Sequence, residues 1–377
     1  MASFVLCAPN WVDTATVSRV FGGGGWQPTL SPSNLNAEFF TEVTRSTDAT
    51  LANTKFTVDL GAQRTVGFVG IPDSNLTNTA LIRTKVSNTV AWSGVTINGA
   101  HSAADTTLDV TAATSITVAA GDVFTISGDV TTYQVTVGGT GTSITLTIKR
   151  VASASAGLTG ALSGSEEVTC HTGDFTSPLV DSGWVDYFPE VFPVDGGGLF
   201  WGDARIWTRK YSAEDLSRLN LPRQYIYLFP NRVFARYVSV EIDDTTNGDG
   251  YVQADGLYIT DTFQPRYNMS YGLRFGLRSN TTKESARGGA DAFEKRKAQR
   301  YVDFTLDFLS DSEAFASLFD TDRELDLDGN LFFVYDSADV QYVIRRSFPA
   351  RFGTLSAITP NFYANNIKTF ALEERLA

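Results

Sequence analysis

Thr132-Tyr133-Gln134-Val135-Thr136-Val137 and Ser143-Ile144-Thr145-Leu146-Thr147-Ile148 alternate apolar or β-branched residues with polar ones, and Gly138-Gly139 stand between them. A period of two, broken by glycines, predicts antiparallel strands with one buried face. The same pattern fills Thr106-Thr107-Leu108-Asp109-Val110, Ser115-Ile116-Thr117-Val118 and Val123-Phe124-Thr125-Ile126. All of these lie in a stretch that opens at Val95-Thr96-Ile97-Asn98-Gly99 and runs to about Val168. It is rich in Thr, Ser, Gly and Ala and carries little charge. Phe124 and Tyr133 are its only aromatics, although the chain is 12% aromatic. Residues 95–168 therefore read as a small β-domain inserted into a loop of a host.

The flanks make one unit once the insert is removed. Before it come Phe4-Val5-Leu6-Cys7-Ala8, Phe56-Thr57-Val58-Asp59-Leu60-Gly61, Val66 to Pro72, and the alternating Ala80 to Ser87. After it come the Trp184 strand, a helix opened by Ser212-Ala213-Glu214-Asp215, then Arg236 to Ile242 and Gly256 to Ile259. Gly22 to Gly25 precede neither a GK[ST] motif nor a helix pattern, so a mobile or tightly turning loop is expected rather than a phosphate cradle.

Asp59-Leu60-Gly61, Ala235 to Ile242 and Tyr251 to Ile259, taken in order, resemble a galactose-binding (discoidin-like) jelly roll. The resemblance covers residues 1–94 and about 169–262. It implies a two-sheet β-sandwich with alternate residues of each strand in the core.

Residues 263–377 differ in character. Tyr271 to Arg278 and Arg300 to Phe308 alternate as two long strands around the polar segment 280–298, which predicts a long hairpin with an extended tip. Ser310-Asp311-Ser312-Glu313 is a capping box opening a helix to about Phe319, with Phe315, Leu318 and Phe319 on one face. Strands are expected at Asn330 to Tyr335, Gln341 to Ser347 and Ile367 to Glu373. Hairpin, helix, then strands is similar to the tail-tube-like domains of tube, distal-tail and baseplate proteins of long-tailed bacteriophages. Thr369-Phe370-Ala371-Leu372-Glu373-Glu374 resembles their last strand, and Ala120 to Ile126 with Gly128 to Tyr133 resembles small β-modules of phage virion proteins. The fold class expected is thus mainly β: a discoidin-like β-sandwich (1–94 and 169–262) interrupted by a small β-domain (95–168), plus a C-terminal tail-tube-like β domain (263–377) with one helix.

Composition narrows the function. A net charge of −12 over 377 residues argues against a sequence-independent nucleic-acid binder, which needs a basic face. Two cysteines, Cys7 and Cys170, are too few for a disulfide framework and are expected as free buried thiols. No signal-peptide pattern and no apolar run near ~18 residues is present, so synthesis and assembly in the host cytoplasm are expected, without membrane insertion.

Catalytic and metal patterns are thin. Cys170-His171 supplies two adjacent ligands with no partner pair, His101 lies in a polar turn, and no serine or cysteine sits in a nucleophile elbow. Glu324-Leu325-Asp326-Leu327-Asp328-Gly329 resembles a calcium loop only as far as the glycine; Tyr335 stands where the bidentate Glu belongs, so a solvated strand edge ending in an Asp-Gly turn is the better account. Asp243, Asp244, Asn247 and Asp249 could line a calcium site, since discoidin-like domains often carry one, but read more simply as an acidic turn. No catalytic residue, metal or cofactor is expected.

Two sets of residues are candidates for contacts. Lys283, Arg287, Lys295, Arg296, Lys297 and Arg300 form the one basic cluster, diluted by Glu284, Asp291 and Glu294. With Gly288-Gly289 at its centre, this segment cannot fold on its own contacts and is expected to be an assembly arm. Trp11, Trp26, Trp184 and Trp201 could be core, interface anchors or platforms for a sugar ring. The resemblances imply a structural subunit of a phage tail tip or baseplate: a distal-tail-like, ring-forming homo-oligomer that meets tail-tube, hub and baseplate proteins in the virion. The alternative they imply is a carbohydrate-binding protein that recognises a host surface glycan.

Overall fold

The computed structural model describes residues 4–13, 19–22, 25–36, 42–51, 53–89, 92, 94–151, 157–172, 175, 177–193, 199–219, 221–285, 289 and 291–376. Five strands precede the inserted stretch: β1 (Val5–Asn10), β2 (Arg19–Gly22), β3 (Thr44–Arg45), β4 (Lys55–Ile71) and β5 (Leu81–Ser87). Six follow in quick succession: β6 (Val95–Ile97), β7 (Thr107–Val118), β8 (Val123–Ile126), β9 (Thr132–Val137), β10 (Gly139–Arg150) and β11 (Glu167–Cys170). Then come β12 (Val180–Asp186), helices α1 (Arg205–Thr208) and α2 (Ala213–Leu219), β13 (Tyr225–Asp243), β14 (Gln253–Ala254) and β15 (Tyr258–Phe263). The remainder comprises β16 (Arg274–Arg278), β17 (Thr282–Ser285), β18 (Asp291–Glu294), β19 (Gln299–Leu309), α3 (Asp320–Leu325), β20 (Leu331–Val334), α4 (Val343–Arg346), β21 (Phe348–Thr354), β22 (Thr359–Phe362) and β23 (Asn365–Glu374). The fold is mainly β.

Strands β6 to β11 close into a barrel in the order β10-β7-β6-β11-β8-β9. Its interior is filled by the apolar half of each alternating strand, including Leu108, Val110, Phe124, Tyr133, Leu146 and Val168. Closure removes the edges that an open module would expose. The ladder runs to Cys170, which pairs with Phe124, and Trp92 is fully buried in the same core. The barrel thus takes in residues on both sides of 95–168. The strands that flank it, β5 and β12, pair directly with each other, Val86 opposite Val180. The barrel therefore occupies the connection of a β-hairpin. Lys55 on β4 reaches Asp122 at 3.3 Å, and the Phe21 ring stacks on His171 at 3.7 Å, which fasten it to the strands beneath.

The other strands differ from the expected pair of separate units. Hydrogen bonds join thirteen of them into one sheet, ordered β12-β5-β13-β4-β15-β1-β20-β21-β23-β19-β16, with β2 and β22 branching from β4 and β23, while β3–β14 and β17–β18 form separate two-stranded ladders. The join is β1, which pairs with β15 on one side and β20 on the other. Its residues serve two cores. Phe4, Leu6 and Ala8 pack with Phe304, Phe333, Phe348 and Phe370, whereas Val5 and Cys7 pack with Phe68, Tyr258 and Phe332. A strand buried on both faces reads as an unbroken apolar run, and Phe4 to Ala8 is one.

The longest pairing is between β4 and β13. Its register shifts between Leu228 and Val233, where Pro230 has no N–H to give to the ladder. A second shift between Ala235 and Tyr237 frees Arg236, whose guanidinium grips Asp59 with two bonds of 2.8 and 2.9 Å. The large core beside these strands is built from Phe56, Val58, Val69, Ile82, Val240 and Ile259, among others.

Several local expectations are met. Ser212 and Asp215 exchange side-chain-to-backbone bonds at the start of α2. Ser310 and Glu313 do the same, with Ser310 N–H donating to the Glu313 carboxylate at 2.9 Å and Glu313 N–H to the Ser310 hydroxyl at 3.3 Å. Others are corrected. The helix after Ser310 winds widely (π-type) over Ser312–Phe319 before tightening into α3. That winding buries Ala314 and Leu318 and leaves Phe315 and Phe319 about half exposed. Residues 341–347 are not a strand: Tyr342 N–H donates to the Asp339 carboxylate and α4 follows. The strand is β21, whose alternation begins only at Phe348. Glu324 and Leu325 end α3 and Asp326 to Gly329 form the turn after it, not a strand edge; Asp326 has a positive φ of 47°, and Gly329 N–H donates to Leu325 C=O. No helix among the described residues is long and apolar enough to cross a membrane.

Candidate functional site

The arm is where the sequence places it, between two strands of the sheet. β16 and β19 pair antiparallel, and the chain beyond them forms the two-stranded ladder β17–β18. Every described side chain of that ladder is exposed. It is held by contacts within itself: Lys283 to Asp291 at 2.7 Å, Arg296 to Glu294 at 2.9 Å, and Lys283 over the Phe293 ring. The carboxylates of Asp291 and Glu294 lie below their ordinary values, each because of that basic partner first. Lys295 and Lys297 are exposed as well. Arg287 and Gly288 lie outside the described residues.

Arg300 does not belong to this set. It is 7% exposed and forms a 2.5 Å ion pair with Glu374 on β23. Its remaining donors reach the carbonyls of Ile344 and Ser347. Gln224, from the strand-rich half before β13, donates to those same two carbonyls. Arg300 is thus a structural residue at a crowded junction. The strand alternation alone could have placed it inward, since Val302, Phe304 and Leu306 share its parity and are buried.

The tryptophans divide in the same way. Trp11 donates its indole N–H to Thr65 C=O, and Trp26 donates to Lys55 C=O and packs edge-on to Phe56. A Cβ on Gly22 would sit 2.3 Å from the Trp26 ring, so the glycine is there to admit it. Trp184 is 40% exposed on the edge strand β12, beneath Arg83. Trp201 alone of the four stands clear of the surface, at 77% exposed. Phe200 (82%) and Trp207 (75%) stand beside it, with Trp201 and Trp207 edge to face at 6.2 Å. Arg205 braces this knuckle by bonding Asp203 and Asp215, and both carboxylates are held low, Asp203 to about 2 chiefly by Arg205. Residues 194–198, just before it, lie outside the described residues.

A larger apolar surface was not anticipated. Among the described residues, more than half of the exposed large hydrophobic side chains fall within 263–377, including Tyr267, Tyr271, Leu277, Phe308, Phe362 and Tyr363. Tyr267 and Phe308 are in edge contact at 5.9 Å, and Arg266 N–H donates to Glu313 next to the helix that carries Phe315 and Phe319. Close to the hairpin base, a groove of about 480 Å³ opens between β16 and β21, with Leu277, Tyr301 and Gly353 in its walls. The alternation of β19 points the other way for Phe308, which shares the parity of buried Leu306; a register shift between Leu306 and Leu309 turns it outward.

Among the described residues no group of three or more His, Cys, Asp or Glu side chains could hold a metal ion. The acidic turn after β13 is occupied internally: Asp244 accepts from Thr77 and Asn247, and Asp249 from Asn75. His101 accepts from Asp109 N–H, His171 meets Thr125, and both cysteines are buried and outside any disulfide. Burial also raises the Cys7 thiol well above its usual value. No protein family, curated protein or solved structure matches the chain.

Proposed function

We propose that the protein is a structural subunit of a long-tailed phage tail tip or baseplate, a distal-tail-like ring component that acts through assembly contacts. The observation that carries this is the surface of residues 263–377: an exposed hairpin arm with no core of its own, beside the edge strand β16 and many exposed aromatic rings. A monomer seldom leaves so much apolar surface in water, and an arm that buries nothing is stable where a neighbour covers it. Copies related by rotation would close into a ring through such heterologous contacts. The strands before β16 and the barrel would face outward, toward further tail, hub and baseplate proteins.

Removing residues 282–294 takes away no buried side chain among the described residues. The variant is expected to keep the circular dichroism and melting behaviour of the intact chain while losing self-association in light scattering. Unimpaired self-association would reject the arm as an assembly element.

The Phe200, Trp201 and Trp207 knuckle favours a second reading, recognition of a host surface glycan, because exposed and braced rings can stack on a sugar face. A change in tryptophan fluorescence with host polysaccharide, absent in Trp201→Ala, would favour it; an unchanged spectrum would leave the knuckle a protein-contact anchor.

A further inference from the structure

Asp73 and Asp255 are two carboxylates that nothing in the assembly surface uses. Asp73 follows β4 and Asp255 follows β14, and the two backbones touch: Asp255 N–H donates to Asp73 C=O, and Ser74 bridges to Ala254. On one side they border a cleft of about 400 Å³ with Asn75, Arg223 and Gln253. On the other they close a cavity of about 20 Å³ against the C-terminal half, whose wall is Lys297, Arg300, Pro349, Glu374 and Arg375. Asp73 accepts from Ser74 N–H at 2.9 Å. Asp255 Oδ1 is buried with no hydrogen-bond partner.

The surroundings explain why one proton is retained. Burial, then the charge of Asp73, pushes Asp255 up to about 8, and burial raises Asp73 as well. The cations that face them are Lys297 at the foot of the arm and Arg223 ahead of β13, with the Arg300–Glu374 pair and Arg375 across the small cavity. The phenols of Tyr187 and Tyr258 face the same place, and both are raised by burial. Two ionised carboxylates in such a half-buried site repel each other and are poorly solvated, so the second proton is held to higher pH.

We infer that Asp73 and Asp255 form a proton-controlled joint between the two halves of the large sheet, closed while the pair retains a proton and loosened when both carboxylates are ionised. The sign follows from linkage. Asp255 titrates near its ordinary value of 3.8 when the joint is open and near 8 when it is closed. The protonated form therefore favours closure fully below about pH 4, and this advantage is lost as pH rises toward 8, by up to about tenfold in the opening constant per pH unit. Lys297 tempers the loss by supplying the counter-charge, which couples the foot of the arm to the joint.

Native-state hydrogen exchange of the full chain from pH 5 to 8 tests this, read at the Arg300 and Arg375 amides, which bond Glu374 and Pro349. After correction for the intrinsic exchange rate, the wild-type opening constant is expected to climb severalfold to tenfold per pH unit. It should be much shallower in Asp255→Asn, and in Lys297→Met the climb should continue to higher pH, with the barrel amides unaffected. Equal pH dependence in wild type and Asp255→Asn would overturn the inference. A carboxyl NMR titration of the wild-type chain decides the matter if the variant does not fold: an Asp255 midpoint well above 6 supports the joint, and one near 4 overturns it.

Discussion

Arg300 and Arg296 differ by four positions and by their whole energetic role. Arg300 is buried against Glu374 and feeds two carbonyls, so its removal leaves a carboxylate uncompensated in the interior. Arg300→Met is expected to cost about 3–5 kcal/mol in urea denaturation. Arg296→Ala, on an exposed ladder, should change stability by no more than about 0.5 kcal/mol. Comparable losses in the two variants would contradict this division. Composition had grouped the two arginines because it counts charges and not faces; the parity of the β19 strand separates them. The same limit hid the Asp73 and Asp255 pair, since 182 positions separate the two and only the chain's path brings them together.

At the scale of elements, the alternating strands of the barrel were legible because a period of two in Thr, Val and Ile has one good structural outcome. Thr132–Val137 has the bounds its alternation indicates. Closure was not legible, because it depends on which strands meet and not on any one of them. The π-wound turn after Ser310 was also hidden: it breaks the usual helical spacing and turns Phe315 and Phe319 outward. Since β5 and β12 pair directly, the barrel is a guest in a hairpin connection. Replacing residues 89–178 with a short glycine-containing turn should leave a protein that unfolds in one cooperative transition, its melting point lowered modestly by loss of the Lys55–Asp122 and Phe21–His171 contacts. A broad, non-cooperative melt would show that the barrel is integral to the core.

For the whole molecule, a division into two units was anticipated and one continuous sheet is found, joined through β1. The apolar run at Phe4 to Ala8 announced a doubly buried strand but not its two partners, which lie more than 200 residues away in sequence. The arm follows β16 at one end of this sheet, and the exposed rings of residues 263–377 lie on the same part of the chain; the proposed ring contacts would form there. The most direct test is the absolute mass of the purified chain by light scattering over a range of concentrations, with negative-stain images of the same fractions. The expected result is a discrete closed ring, a fixed multiple of the chain mass, that persists on dilution further in the wild type than in the chain lacking residues 282–294. A monomer at every concentration, with or without the arm, would contradict it.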